Sequence, residues 1–259
     1  MLRPVLAALL AIVLARPVLA AEAPDPLDSP LWPEIRAQVL GTGAVVFDAR
    51  VVVTAPASAE NSAQLPVMVR VAGLGKVQSL VLFADYNPIP KILALRPMDA
   101  EPFVATRFKI NMASPVRAAA LAEDGIWHVG GVWVDAAGGG CTLPSAASAN
   151  AEWQSRLGEI SARAWTIAPA LSRVKLRLIH PMDTGLAAGI PAFYLERSTF
   201  SGADGRVLAE VDTFEPVSEN PVLSLELHGE AGPQGFVYTG RDMGGNEFRG
   251  RIRVGGPRS

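Results

Sequence analysis

Residues 103–134 read FVATRFKINMASPVRAAALAEDGIWHVGGVWV, three runs of strand length separated by a proline and an Asp-Gly pair. The runs are Phe103 to Asn111, Val116 to Ala122 and Ile126 to Val134, and the breaks at Pro115 and Asp124-Gly125 fall where turns are needed. The same texture extends back toward the N-terminus. Val45 to Val53, Leu65 to Ala72, Ser79 to Tyr86 and Ile92 to Arg96 are further β-type runs, broken at Pro56, Gly73, Asn87-Pro88, Pro90 and Pro97. Seven short strands at this spacing predict an immunoglobulin-like sandwich, without the cysteine pair of antibody domains because the chain has a single cysteine.

Toward the C-terminus a second β-rich series follows: Ile160 to Ile167, Val174 to Ile179, Ala192 to Ser198, Arg206 to Asp212, Val222 to His228, Gly235 to Arg241 and Glu247 to Val254. The glycine-containing turns at Gly202 to Gly205 and Asp242 to Asn246 carry the hairpin signature. Ahead of the first strand, Leu31, Trp32, Ile35, Val39 and Leu40 recur at helical spacing, Pro33 suits a first turn and Gly41 a stop, so Pro30 to Leu40 reads as a short helix. The expected fold class is all-β, two immunoglobulin-like β-sandwich domains in tandem with a short N-terminal helix on the first.

Met1 to Ala20 has a positive start at Arg3, an apolar run from Val5 to Leu14 and a small-residue cleavage pattern at Val18 to Ala20. That reads as a signal peptide, and it predicts a periplasmic or secreted protein. The acidic, proline-rich Glu22 to Ser29 reads as a loose leader. The resulting division is a signal peptide at 1–20, a first domain at 21–135, a cysteine-bearing loop and linker at 136–156, and a second domain at 157–259. A formal charge of −2, with no basic stripe evident along the chain, argues against binding nucleic acid or anionic lipid. No later segment reaches membrane-spanning length.

Cys141, the only cysteine, follows Gly138, Gly139 and Gly140. Three glycines impose little preferred geometry, so the loop reads as a flexible tether able to carry the thiol roughly 17 Å from the end of the preceding strand, at about 3.4 Å per residue. No base lies near it in sequence, and none of the three histidines is within ten residues. Cys141 is therefore expected to be a covalent attachment point and not a nucleophilic catalyst. His180 reads as a turn histidine bonded to backbone, while His128 and His228 read as half-exposed sheet residues without a neighbouring acid. No metal motif, phosphate loop or nucleophile elbow is present, and no cofactor is implied.

Several segments resemble SoxY, the periplasmic sulfur-carrier subunit of the thiosulfate-oxidising Sox system: Val53 to Asn61, Asn87-Pro88, Thr106 to Met112, Ser114 to Ala118 and the Gly-Gly-Gly-Cys stretch. In the second half, His180-Pro181-Met182-Asp183-Thr184-Gly185 and Asn220 to Ser224 resemble its partner SoxZ. Together they resemble fused SoxYZ-like carriers associated with quinoprotein dehydrogenases. The resemblance implies that Cys141 holds sulfur intermediates while partner redox enzymes, Sox-type or quinoprotein dehydrogenase and cytochrome c systems, act on them. It implies a carrier that is not itself an enzyme, with an intramolecular interface between the two domains. One departure is that Thr142-Leu143-Pro144 follows the cysteine and the chain continues, so the arm is a loop anchored at both ends. The alternative is a non-covalent accessory module that binds a periplasmic dehydrogenase or cytochrome.

Overall fold

The computed structural model describes residues 23–145, 152–229 and 235–253; the expected signal peptide and linker residues 146–151 lie outside them. The helix forms as α1 (Trp32–Leu40), stopped at Gly41 with φ 72°. The first half supplies β1 (Val45–Phe47), β2 (Val51–Thr54), β3 (Ser58–Ala59), β4 (Leu65–Val71), β5 (Val77–Ala84), β6 (Lys91–Arg96), β7 (Ala100–Phe108), β8 (Ser114–Ala122) and β9 (Trp127–Ala136). After the short α2 (Glu152–Arg156), the second half supplies β10 (Ile160–Ala168), β11 (Leu171–Leu178), β12 (Leu195–Gly202), β13 (Val207–Thr213), β14 (Val222–His228), β15 (Phe236–Asp242) and β16 (Glu247–Ile252).

The halves are immunoglobulin-like sandwiches in tandem, and they share both sheets. One sheet runs β1-β9-β8-β5-β6-β13-β12-β15-β16, with β3 also on β9, and the other runs β10-β11-β14-β7-β4-β2. The seam is thus an antiparallel pairing in each layer, Leu95 opposite Val211 in one and Val104 opposite Leu225 in the other. Alternation along the strands turns one face of each sheet inward, as in β4, where Leu65, Val67, Val69 and Val71 are buried between more exposed residues. The inner residues of both halves, among them Leu93, Leu95, Val104, Val211 and Leu225, form one continuous core. Opposite charges reinforce both layers at the seam. Arg96 on β6 pairs with Glu210 and Asp212 on β13 at 2.9 and 2.7 Å. On the other layer the buried Glu226 carboxylate accepts from Arg70 at 2.7 Å and from Arg173, and both guanidiniums lie over the Phe103 ring, at 4.5 and 4.8 Å from its centre.

Two expectations are corrected here. The run Val45 to Val53 is not one strand, because Asp48 folds it over. The Asp48 carboxylate accepts the Arg50 amide at 2.9 Å and pairs with its guanidinium, leaving β1 parallel to β9 in one sheet and sending β2 to β4 in the other. The leader is not loose from residue 25 onward. Asp25 accepts the amides of Leu27 and Ser29 and pairs at 2.7 Å with Arg117, whose side chain is 1% exposed. Arg117 also binds Asp85 at 3.0 Å and lies 4.6 Å from the Trp32 ring centre, which fastens the leader and α1 to the outer face of β5, β8 and β9.

Because the sheets and core are continuous, chemical unfolding should be a single transition, with coincident midpoints from probes in either half. Glu226→Ala strands two arginines that reach solvent, so it should cost about 2 kcal/mol, less than the about 3–5 expected for a fully buried pair. A urea titration of both proteins measures this.

Candidate functional site at Cys141

The strand β7 ends at Phe108, and the next residues fix the site. Lys109 donates its amide to the Pro216 carbonyl at 2.6 Å, and Ile110 donates to Ser62 at 2.8 Å. Asn87, buried in the β5–β6 turn, splints the segment from the side. Its Nδ2 donates to the Lys109 carbonyl at 2.9 Å, and its Oδ1 accepts the Asn111 amide at 2.9 Å.

The glycine loop lies on this splint. Gly139 donates to the Asn111 carbonyl at 2.9 Å and Gly140 to the Ile110 carbonyl at 3.1 Å. Gly138 and Gly139 have φ of 103° and 81°, conformations that favour glycine. At Gly140 the need is for space: a Cβ would stand 2.1 Å from the Ser62 carbonyl oxygen and 2.5 Å from that of Ile110. The expected tether at Gly138, Gly139 and Gly140 is therefore a seated turn, in which glycine allows close backbone approach and does not leave the chain free.

Cys141 is consequently buried, at 1% exposure. Its thiol donates to the Lys109 carbonyl at 3.2 Å, and its own carbonyl accepts from Thr184 Oγ1 at 2.7 Å. Two residues on, Leu143 is 55% exposed, so the crest of the loop faces solvent while the sulfur faces in. Burial pushes the thiol up to about 11, opposed by the nearby Lys109 ammonium. That ammonium, on a residue itself 3% exposed, donates to the Met182 carbonyl, and burial pushes its pKa down.

Thr184 and Met182 belong to the turn at 180–184 of the second half, so the loop is clipped between the two halves. The turn is rigid. Met182 has φ 54°, its sulfur accepts the Leu195 amide at 3.3 Å, and Asp183 exchanges backbone bonds with Phe193 while its carboxylate accepts the Ser145 amide at 3.2 Å. His180 donates its amide to Asn220 Oδ1 at 3.2 Å and accepts the Met182 amide on Nδ1 at 3.1 Å, which places the ring hydrogen on Nε2, 3.4 Å from Asp242 Oδ2. Burial pushes this imidazole down to about 4.

The turn role expected of His180 is what the structure shows. The other two histidines differ from expectation: sheet pairing brings one distant acid to each, and on His128 Asp124, four residues earlier in the sequence, adds a second. His128 is buried between Asp48, 2.8 Å from Nδ1, and Asp124, 3.0 Å from Nε2, and His228 pairs with Glu101 at 3.0 Å. Lys109, Thr184 and Asn87 are the site residues that sequence spacing does not single out. Lys109 and Thr184 lie 32 and 43 residues from the cysteine they hold. Among the described residues no three His, Cys, Asp or Glu side chains are grouped to hold a metal.

Residues 36–141 match the family described as sulfur oxidation protein SoxY. That segment, about two fifths of the chain, is similar to SoxY. The match ends on Cys141 itself, so the SoxY-like half contains the thiol, Lys109 and Asn87, and the remainder of the chain contributes the clip at 180–184. Among solved structures, the sulfur carrier protein SoxY from Chlorobium limicola f thiosulfatophilum is 21% identical, over 41% of this chain and 96% of that one, with a TM-score of 0.36. No curated protein matches the chain.

The shift of Cys141 from 9.0 to about 11 alone lowers the thiolate fraction at neutral pH by about 100-fold, so the native thiol should react with a disulfide reagent at least that much more slowly than a free peptide cysteine. Gly140→Ala, which cannot seat the loop, should recover most of the lost rate, as followed by absorbance of the released thiol. The imidazole of His180 gives a pH signature. Unfolded, it takes up a proton as pH falls through 6.5, whereas the folded ring resists until about 4, so the unfolded state binds more protons in that window. Stability should fall by about 3 kcal/mol from this group as pH drops from 6.5 to 4, and the difference between wild type and His180→Gln across that range isolates it.

Proposed function

We propose that the chain is a periplasmic carrier that holds a sulfur-containing intermediate covalently on Cys141, with a SoxY-like half bearing the thiol and a SoxZ-like half that clips it. The observation that carries this reading is the placement of the cysteine at the last residue of the SoxY match, on a two-ended loop lodged between the halves. Lys109 donates its ammonium to the Met182 carbonyl, the Asp183 carboxylate accepts the Ser145 amide, and burial holds the thiol protonated, so in this reading the chain loads and unloads through partner redox enzymes and is not itself the catalyst.

Exchange requires the loop to leave its seat. Opening breaks the bonds of Gly139, Gly140 and Ser145 and both bonds of Cys141, about 0.5–1.5 kcal/mol each, a cost on the order of 5 kcal/mol. The closed form therefore dominates by about three to four orders of magnitude in the absence of a partner. A partner that grips the exposed crest at Thr142 to Pro144 supplies the difference in its binding energy.

Burial of the thiol also favours a second reading, in which Cys141 is a core residue of a non-covalent accessory module for a periplasmic dehydrogenase or cytochrome. Intact mass of the protein purified from its native compartment without reductant separates the two. The carrier reading expects a reducible mass increase confined to Cys141 and absent in Cys141→Ser, with loss of function in that variant. A bare thiol under every growth condition, with Cys141→Ser fully functional, supports the accessory module.

A further inference from the structure

The strands β10 and β11 pair so that Ser161 faces Arg177, Arg163 faces Lys175 and Trp165 faces Arg173. The residues between them, Ala164, Val174 and Leu176, are buried in the core, so these three pairs lie together on the outer face. Arg163, Lys175 and Arg177 are exposed, and none has an anionic partner among the described residues. Two cations directly opposite one another on an antiparallel pair repel, a local cost that this face carries without internal compensation. Toward the seam the charges balance, because Arg173 and Arg70 share the Glu226 carboxylate and Glu101 also acts on Arg70, so the excess is confined to Arg163, Lys175 and Arg177. A shallow groove of about 350 Å3 runs between Ser161, Arg163, Lys175 and Arg177. Beside it, Arg163 lies 5.3 Å from the half-buried Trp165 ring centre, and Ile167 is 40% exposed.

The basic face is a correction to the sequence reading, which sees no basic stripe. Arg173, Lys175 and Arg177 alternate with core residues along one strand, and only pairing with β10 adds Arg163 to them.

We propose that the outer face of β10 and β11 docks an acidic protein surface, whose carboxylates neutralise Arg163, Lys175 and Arg177 and whose apolar side chains meet Trp165 and Ile167. Arginine and tryptophan are the residues that most often dominate binding energy at such surfaces. A protein patch fits better than an extended polyanion. The cations occupy one short strand pair, bounded by Glu226 beside Arg173 and by Glu159 beside Arg177, which suits a compact carboxylate patch and gives an extended polyanion no continuing basic track. The face also has a route to the thiol, since β11 ends at Leu178 and His180 opens the clip. The docking does not depend on what Cys141 carries.

The test uses the full chain and a fluorescent peptide of alternating Glu-Asp pairs around a central Phe. Anisotropy at low and physiological salt measures binding, and carbodiimide coupling, which condenses a peptide carboxyl with a lysine amine to an amide and releases the urea, maps the contact. The expected result is salt-sensitive binding with coupling at Lys175, weakened at least tenfold in Arg163→Glu/Arg177→Glu and unchanged in Lys76→Glu/Lys91→Glu on the first half, with equal unfolding midpoints. Equal binding by both double variants, coupling dominated by other lysines, tighter binding of heparin or phosphatidylserine vesicles than of the peptide, or dimerisation through this face would each overturn the proposal.

Discussion

A strand edge carries a row of unpaired N–H and C=O groups, and neither half of this chain closes its own sheets. The edges β6 and β7 on one side and β13 and β14 on the other satisfy each other in antiparallel pairs, one in each layer. Everything at the candidate site follows from that pairing. The seam fixes the end of β7 against residues 214–218, where Lys109 donates to Pro216 and Ser218 to Arg107, and it brings the 180–184 turn alongside. With the halves separated, Cys141 would lose the hydroxyl of Thr184, and Lys109 would lose the carbonyl that accepts from its ammonium.

The cysteine's surroundings are those of a stored group and not of an activated one. Thiol nucleophiles are made reactive by a nearby base or by a cation that stabilises the thiolate in an accessible setting. Here the cation is present as Lys109, yet burial of the sulfur outweighs it and raises the thiol to about 11. Reactivity is therefore under conformational control. Glycine at 140 makes the closed state possible because no side chain fits between the carbonyls of Ser62 and Ile110, while Gly138 and Gly139 supply backbone angles that favour glycine. The same residues that suggest a free arm in the sequence are needed to pack the loop shut.

Charge is distributed with similar economy. Buried or half-buried arginines at 70, 96, 117 and 173 each meet carboxylates and hold the seam or the leader in place. Arg163, Lys175 and Arg177 sit on the outer side of the second sheet and meet none among the described residues. The contrast separates charges that serve the fold from charges offered to solvent or to another molecule.

The sequence by itself determined the local structure. Strand-length runs bounded by proline, glycine and asparagine gave nearly every strand to within a few residues, and the apolar spacing before Gly41 gave α1. The turn glycines of the hairpins were legible, as was the singularity of Cys141. These are properties of short windows, set by backbone sterics and side-chain periodicity. What only the tertiary structure decided was which edges pair across the seam, that Val45 to Val53 divides between two sheets, that Asp48 reaches His128 and Glu101 reaches His228, and that Lys109 and Thr184 close over the cysteine. Those outcomes depend on contacts between residues tens of positions apart, where burial reverses local expectation: three glycines that are free in isolation become a seated turn once the carbonyls of Ser62 and Ile110 stand against Gly140.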